Sequence, residues 1–358
     1  MKIVHVVRQF YPSVGGLEDV VFNLALTQQQ AGHQVAIFTL NSNYQTGSAL
    51  AKYQDYQSLK IYRFNWFGSS RYPICFLPPS QLNQYDIVHV HAVDFFIDYI
   101  SLLKRLKLIN SKLVLTTHGG FFHTNKNAKL KQVFFKTITP FSLSQCEVVT
   151  CCGIHDYKMF KPLHNKTYLI ENGVSIEKFG PAKHTHKQDS YVYLGRFSSN
   201  KQIELLIELF EKHAPNNSKL YLIGQSKAGG TQLCKQYNFS SLHSNVELKL
   251  DQSDEQIIDI LSQAKFVISA SNYEGFGLSV VELMSYGLIP LLNETVPSFK
   301  RFVTESNTGA TFQVTQQDFA LRTKQLIKEW DESKAQLAKE YANQFNWKKV
   351  NQRYLDVY

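Results

Sequence analysis

The sequence predicts an α/β protein of two doubly wound, parallel-sheet domains facing a cleft. Three observations carry this. The 358 residues exceed what one hydrophobic core usually fills. Short β-branched runs alternate with amphipathic helical stretches from end to end. The strands lack polar alternation, as in a parallel sheet covered on both faces. A content of 44% apolar and 19% charged residues describes a soluble globular chain. No run approaches the roughly 18 apolar residues that span a bilayer.

The elements follow in order. MKIVHVVRQF has too short an apolar stretch, ended by Arg8, for a signal peptide, and reads as a first strand over 2–7. Further strands are expected at 34–40, 86–91, 113–118 and 147–152, with helices at 17–31, 94–108 and 126–141. Gly32 is a natural C-cap for the first helix. The pattern stops near Pro162 and restarts after PAKHTHKQDS, placing a first domain at 1–165 and a second at 166–340. Strands recur at 191–194, 219–223, 246–250, 266–270 and 288–292. Residues 316–358 read as helical throughout, with 341–358 expected to pack back on the first domain.

The five cysteines are odd in number and form no Cys-x-x-Cys pair. They read as reduced core residues of a cytoplasmic protein, with no zinc site. The net charge of +9 is uneven: residues 1–165 hold 16 Lys+Arg against 8 Asp+Glu, and residues 166–358 hold 22 against 21. A basic first half faces something acidic, whether nucleic acid, an anionic membrane or a phosphorylated substrate.

Ligands of open parallel sheets bind outside the carboxyl ends of the strands, and four stretches qualify. RQFYPSVGGLEDVV puts Gly15 and Gly16 before a helix, where bare N–H groups and the dipole attract an anion. It is not Gly-x-Gly-x-x-Gly, which removes the main signature of a nicotinamide enzyme. LVLTTHGGFFHT sets His118 at a strand end beside Gly119 and Gly120; His123 lacks that placement. YLGRFSSNKQIELL supplies Gly195, Arg196 and, at a helix start, Lys201. Two cations there oppose the dipole unless an anion such as a diphosphate binds between them.

The fourth stretch is SNYEGFGLSVVELMSYG, with Glu274 and Glu282 eight residues apart. Spacing alone means little, since Glu247 with Glu255 and Glu332 with Glu340 share it among 16 glutamates. The setting differs. Glu274 follows a strand, Gly275 and Gly277 leave N–H groups open to phosphate, and a helix carries Glu282. A phosphate cradle, two cations and two carboxylates suit a nucleotide-sugar.

This set resembles the retaining GT-B glycosyltransferases of family 4, whose Glu-x₇-Glu motif EGFGLSVVE matches. Gly15–Gly16, His118–Gly119, Asn172–Gly173–Val174, Arg196 and Lys201 fall in that family's order, and the likeness covers essentially the whole chain. VVRQFYPSVGGLEDVV, SSRYPI, DFFIDY and THGGFFHTNKNAKLKQVFFKT are similar to the α-mannosyltransferases of xanthan- and acetan-type assembly.

The resemblance implies two Rossmann-like domains, the first on the acceptor side and the second binding the nucleotide-sugar. It implies mannose transfer from GDP-mannose, α-1,3, to a polyprenyl-diphosphate-linked oligosaccharide. UDP-glucose and a UDP-N-acetylhexosamine stay open as donors. By the same resemblance Glu274 holds sugar hydroxyls, Glu282 binds the ribose, and Arg196 with Lys201 neutralises the diphosphate. His118 contacts the sugar, and Gly15, Gly16, Gly275, Phe276, Gly277 and Leu278 complete the donor contacts. Two departures stand out: Ser175 replaces a frequent Asp after Asn-Gly-Val, and Gln202 replaces the usual Gly after Lys201. The chain has no Asp-x-Asp, so neither a metal nor a cofactor is expected.

In segment 126–141, Leu130, Val133, Phe134, Ile138 and Phe141 follow helical spacing, amid Lys126, Lys129, Lys131 and Lys136. The stripe is expected to pack on its own sheet. Phe135 and the lysines are expected to touch the inner face of the plasma membrane. A nucleic-acid-binding protein is the alternative from another class, but no recognition module is visible. A non-catalytic GT-B subunit is the third, and it need not keep His118, Glu274 and Glu282 together.

Overall fold

The computed structural model describes residues 1–13, 15–44, 46–70, 72–119, 128–180, 188–237 and 245–358, the side chains of 128–131 excepted. Gly120, His123 and Lys126, and the side chains of Lys129, Leu130 and Lys131, therefore lie outside the described residues. The chain divides into two compact units, Met1–Gly173 with Trp347–Tyr358, and Val174–Asn346.

The first unit is built on β1 (Lys2–Val6), β2 (Gln34–Leu40), β3 (Tyr53–Tyr56) and β4 (Leu59–Phe64). A separate hairpin, β5 (Phe67–Ser69) and β6 (Tyr72–Ile74), precedes β7 (Ile87–His91), β8 (Lys112–Thr116), β9 (Val148–Cys151) and β10 (Thr167–Leu169). The sheet order is β10-β9-β8-β7-β1-β2-β4-β3, parallel except where β3 meets β4. Helices α1 (Gly16–Gln30), α2 (Pro79–Leu82), α3 (Phe95–Arg105), α4 (Ala128–Leu143) and α5 (Ile154–Phe160) complete the connections, along with the chain's last helix, Trp347–Val357. The strands from β9 to β2 are buried along almost their whole length because both faces are covered, whereas the edge strand β10 exposes Tyr168.

The second unit orders its six parallel strands β13-β12-β11-β14-β15-β16. These are β11 (Ser190–Leu194), β12 (Lys219–Gly224), β13 (Val246–Leu250), β14 (Phe266–Ser269), β15 (Ile289–Asn293) and β16 (Ala310–Phe312). One face packs on α6 (Ile203–His213) through Leu206 and Phe210. The other packs on α8 (Asp254–Gln263; α7 is Gly230–Gln236) and α9 (Leu278–Ser285) through Leu261, Val281 and Met284.

Several expectations shift. The crossings between units fall at 173/174 and 346/347 rather than at 165/166 and 340/341. β10 extends the first sheet beyond residue 165, and the Trp347 ring lies so close over Gly173 that a Cβ there would stand 2.4 Å from it. The C-terminal stretch is not one helical run. After α10 (Pro297–Ser306) it forms α11 (Gln316–Glu329) and α12 (Glu332–Ala342), then the last helix, α13. Trp330 is extended, and the Asp331 side chain accepts the Lys334 N–H to start α12 afresh.

The α4 face differs in part, since Phe134 of the expected stripe is half-buried against Tyr72 but the rest of the described stripe is not. Phe135 packs edge-on against Phe160 at 5.4 Å and joins the core. Val133, Ile138 and Phe141 of the expected packing stripe are exposed instead. The helix docks on α3 through a rim of hydroxyls: Ser142 Oγ donates to Asp98, and Ser101 Oγ to the Ser142 carbonyl.

Candidate active site

In the second sheet β11 lies between β12 and β14, so the chain connections diverge at the β11/β14 boundary. Loops leaving two such strands in opposite directions open a crevice at their carboxyl ends. A cavity of about 560 Å³ occupies it, lined by Lys178, Phe179, Arg196, Asp254 and Glu282 among others. That volume falls in the range that holds a nucleotide-sized ligand.

Of the predicted residues, Arg196 and Glu282 line this cavity, whereas Lys201 and Glu274 line a small adjacent pocket that shares Leu194 and Ser279 with it. Lys201 ends a 3₁₀ turn, Ser199–Lys201, that follows β11, and Glu274 sits in the loop after β14. The two form a short ion pair, each side chain about 15% exposed. Asn200 ties the same loops, accepting from the Asn272 N–H and donating to the Tyr273 carbonyl. Arg196 is exposed on the cavity wall, its carbonyl held by the Tyr193 hydroxyl at 2.7 Å. Glu282, on the second turn of α9, meets Lys178 at 3.2 Å. The other glutamate pairs lie elsewhere; Glu247 is bound by Lys219 and Lys249 on the β13 edge.

The glycines divide by role. Gly277 is the N-cap of α9 with φ 110°, and a Cβ there would stand 2.9 Å from the Phe299 ring. Glycine is needed there for the fold itself. At Gly275 a Cβ meets open space, so its exposed backbone is left to a ligand. Phe276 and Leu278 belong to the core rather than the cavity wall, since Phe276 is buried against Phe302 and Phe345. At most the Phe276 backbone is offered to a ligand. Gln202 takes the left-handed φ of 51° and carries the strain that a glycine would avoid.

In the first unit β1 lies between β7 and β2, and the loops after β1 and β7 carry Arg8 and Asp94, paired at 3.0 Å. Burial pushes the Asp94 carboxyl up to about 7, although Arg8 pulls it down. His118 stands just beyond β8, half-buried, with φ 49°. A non-glycine residue in that region costs energy and points to a functional role. Asp156 holds the turn by accepting from Thr117 Oγ1 at 2.5 Å and from the Gly119 N–H at 2.6 Å. His118 Nε2 lies 2.9 Å from His91 Nδ1, and His91 Nε2 lies 2.8 Å from His5 Nδ1. Desolvation lowers His118 to about 3 and His5 to about 4, so the rings are neutral.

Gly15 and Gly16 open α1, but the Glu18 carboxylate folds back over Gly15 and bonds its own backbone N–H. That is the anion which the helix start attracts, and a phosphate there would have to displace it. Sequence reasoning missed Lys178, Asp156, His91 and His5. Asp156 sits in a helix 37 residues from Gly119 and left no local signal.

Comparisons with known proteins agree along the chain. Residues 14–178 match the family described as Glycosyltransferase Family 4, and residues 175–345 match Glycosyl transferases group 1. The GDP-mannose:cellobiosyl-diphosphopolyprenol alpha-mannosyltransferase of Xanthomonas campestris is 34% identical over 370 residues, 100% of this chain and 96% of its own. Its namesake from Komagataeibacter xylinus is 31% identical over 86% of this chain and 79% of its own. Among solved structures, Anabaena HepE in complex with UDP aligns with a TM-score of 0.75 at 15% identity, covering 99% of each chain. The lipopolysaccharide outer core galactosyltransferase WaaB aligns at 0.72 and 14% identity, over 100% of this chain and 99% of its own.

The buried histidines make stability depend on pH. His5, His89 and His91 are held below their ordinary value by burial, so the unfolded chain binds their protons first as pH falls through about 6.5. Each ring then costs up to about 1.4 kcal/mol of stability per pH unit below 6.5. Asp94 acts in the opposite sense between about 4 and 7, since its raised value favours the folded state as pH falls. His118 adds a fourth lowered ring and Glu18 and Asp98 two more raised carboxyls, and the rings titrate first as pH falls below 6.5, so urea unfolding at pH 7.5, 6.5 and 5.5 is expected to show stability falling at the lowest pH. A constant midpoint would contradict the neutral assignment.

Proposed function

The chain belongs to glycosyltransferase family 4, an enzyme family with the GT-B fold, and from that premise we propose that it transfers mannose from GDP-mannose. The acceptor is a polyprenyl-diphosphate-linked oligosaccharide, the linkage is α-1,3 with retention, and no metal takes part. The product serves surface or exopolysaccharide assembly. The observation that carries the reading is the cavity at the β11/β14 boundary, with Arg196 and Glu282 on its wall and the Lys201–Glu274 pair beside it. The full-length likeness to a GDP-mannose enzyme supports the choice of donor.

The residues divide the donor by charge. Arg196 offers a fork of N–H donors to the diphosphate, and Lys201 a point charge with protons to share between Glu274 and a phosphate oxygen. Glu274 accepts from sugar hydroxyls and Glu282 from the ribose, charged hydrogen bonds worth about 1.5–3 kcal/mol each. Asp254, on the same wall, is a two-oxygen acceptor suited to the paired N1–H and N2–H donors of guanine, where uracil offers a single N3–H between two carbonyls. As the C1–O bond breaks, the electron pair stays on the diphosphate, where the two cations stabilise it. The acceptor hydroxyl bonds C1 from the same face and gives its proton to the departing diphosphate. His118 contacts the sugar.

The lipid-linked acceptor brings a membrane surface with it. Among the described residues no helix is long and apolar enough to cross a bilayer. The packed pair α3 and α4 instead exposes Leu102, Leu106, Val133, Ile138 and Phe141, with the Arg105 guanidinium 4.7 Å above the Phe141 ring. Apolar side chains rimmed by cations suit the headgroup boundary of the anionic inner leaflet. The apolar stripe, rather than Phe135, is the part that would enter it.

Two measurements test these readings. Assayed with EDTA against a short lipid-diphosphate glycan, GDP-mannose is expected to be used at least tenfold better by kcat/KM than UDP-glucose or a UDP-N-acetylhexosamine, a difference of about 1.4 kcal/mol. A UDP-sugar preference, or a metal requirement, would overturn the donor reading. In sedimentation with phosphatidylglycerol vesicles the protein is expected to pellet, and Ile138→Glu with Phe141→Glu to release it. Equal recovery with neutral phosphatidylcholine would sink the membrane reading.

A further inference from the structure

Three histidines, His5 on β1 and His89 and His91 on β7, lie fully buried on one face of the first sheet. Their nitrogens come within 4.8 Å of one another, close enough to suggest a metal site. The geometry argues otherwise. All six ring nitrogens already have hydrogen-bond partners. The His89 and His91 rings stack at 4.2 Å, so their in-plane lone pairs do not converge on one point.

The partners instead form one continuous chain. It runs from His118 through His91 and His5 to Gln28 Oε1 at 2.9 Å, and from Gln28 Nε2 to the Tyr358 hydroxyl at 3.0 Å. It continues from Tyr358 to His89 Nδ1 at 2.7 Å, and from His89 Nε2 to Thr116 Oγ1 at 2.6 Å. Thr116 meets Thr150 Oγ1 at 2.6 Å, and Thr150 meets the Leu115 carbonyl at 3.2 Å.

With Thr150 donating to the Leu115 carbonyl, every other link takes its direction; the Tyr354 hydroxyl, buried beside Thr116 and Thr150, stands outside the chain. A carbonyl only accepts, so Thr150 spends its one proton on Leu115 and must accept from Thr116. Thr116 then accepts from His89 Nε2–H. A neutral His89 has a bare Nδ1, which takes the Tyr358 proton, so Tyr358 accepts from the Gln28 amide nitrogen. Gln28 Oε1 therefore faces His5 Nε2–H. His5 Nδ1 accepts from His91 Nε2–H, and His91 Nδ1 accepts from His118 Nε2–H. Burial keeps all four rings neutral, which this sequence of steps requires.

We propose that this chain fixes His118 as the Nε2–H tautomer, so that Nδ1 is an obligate acceptor for a hydroxyl of the donor sugar. His91, His5, Gln28, Tyr358 and His89 are positioning residues that act through it. The inference rests on the proposed sugar contact of His118 and adds its polarity. A neutral acceptor at that point orients the sugar hydroxyl without setting a positive charge beside the electron-poor C1.

Long-range ¹H–¹⁵N correlation of the full chain labelled with [¹⁵N]histidine reads the tautomer without reference to activity. His118 is expected to carry its proton on Nε2, with Nδ1 bare, at pH 7.5. Tyr358→Phe and, at the far end, Thr150→Val each break the chain. Each is expected to give mixed His118 tautomers and to lower kcat by about tenfold, or 1.36 kcal/mol, with donor KM unchanged. The Nδ1–H form in the wild type, bound zinc retained after dialysis, or unaltered tautomer and kcat in both variants would overturn the proposal. A wild-type chain with the Nε2–H form that moves no sugar from any donor would instead overturn the function reading.

Discussion

The ion pair between Lys201 and Glu274 is the contact on which the candidate donor site depends. It joins the loops that leave β11 and β14, the two strands between which the second sheet changes direction. Both groups are largely withdrawn from water, where loss of either partner would leave a costly unpaired charge. Each is therefore held before any ligand arrives. A diphosphate and a sugar hydroxyl then meet groups already in position and need only share their protons and lone pairs. Preorganisation of this kind is the main way a site stabilises charge that appears during reaction.

The first unit solves a similar problem with neutral groups. His118 is fixed in a left-handed turn by Asp156, which grips the backbone and side chain on either side of it. Behind it, polar side chains line a sheet face that would ordinarily be apolar. A buried polar network is costly wherever a member goes unsatisfied; this one runs unbroken from His118 to the Leu115 carbonyl, with the adjacent Tyr354 hydroxyl left outside it. Both units thus place their candidate site residues immediately beyond the carboxyl ends of parallel strands, where the backbone ladder has ended.

Much of this was legible in the sequence, because apolar strand runs and the glycines of EGFG are local signals. The alternation of elements gave two α/β units, and the setting of Glu274 separated it from two glutamate pairs of the same spacing. What was not legible is tertiary. His5, His89 and His91 look like interruptions of apolar strands until β1 and β7 lie side by side in register. Lys178 and Asp156 reach their partners from distant segments. The α4 error has another cause: periodicity shows that a helix has two faces without saying which is buried, and here Phe135 was the inward residue. The C-terminal breaks were readable in part, since Asp331 precedes α12 as an N-cap should.

The division of labour within the Lys201–Glu274 pair admits a direct measurement. Calorimetric titration of Glu274→Ala with GDP and with GDP-mannose separates the nucleotide from the sugar. If Glu274 holds the sugar, the variant loses the affinity that mannose adds, about tenfold or more for charged hydrogen bonds of this kind. Its affinity for GDP stays equal or rises, because Lys201 is freed for the diphosphate. Equal weakening of both ligands would contradict the account, since Glu274 would then serve the nucleotide or the fold rather than the sugar.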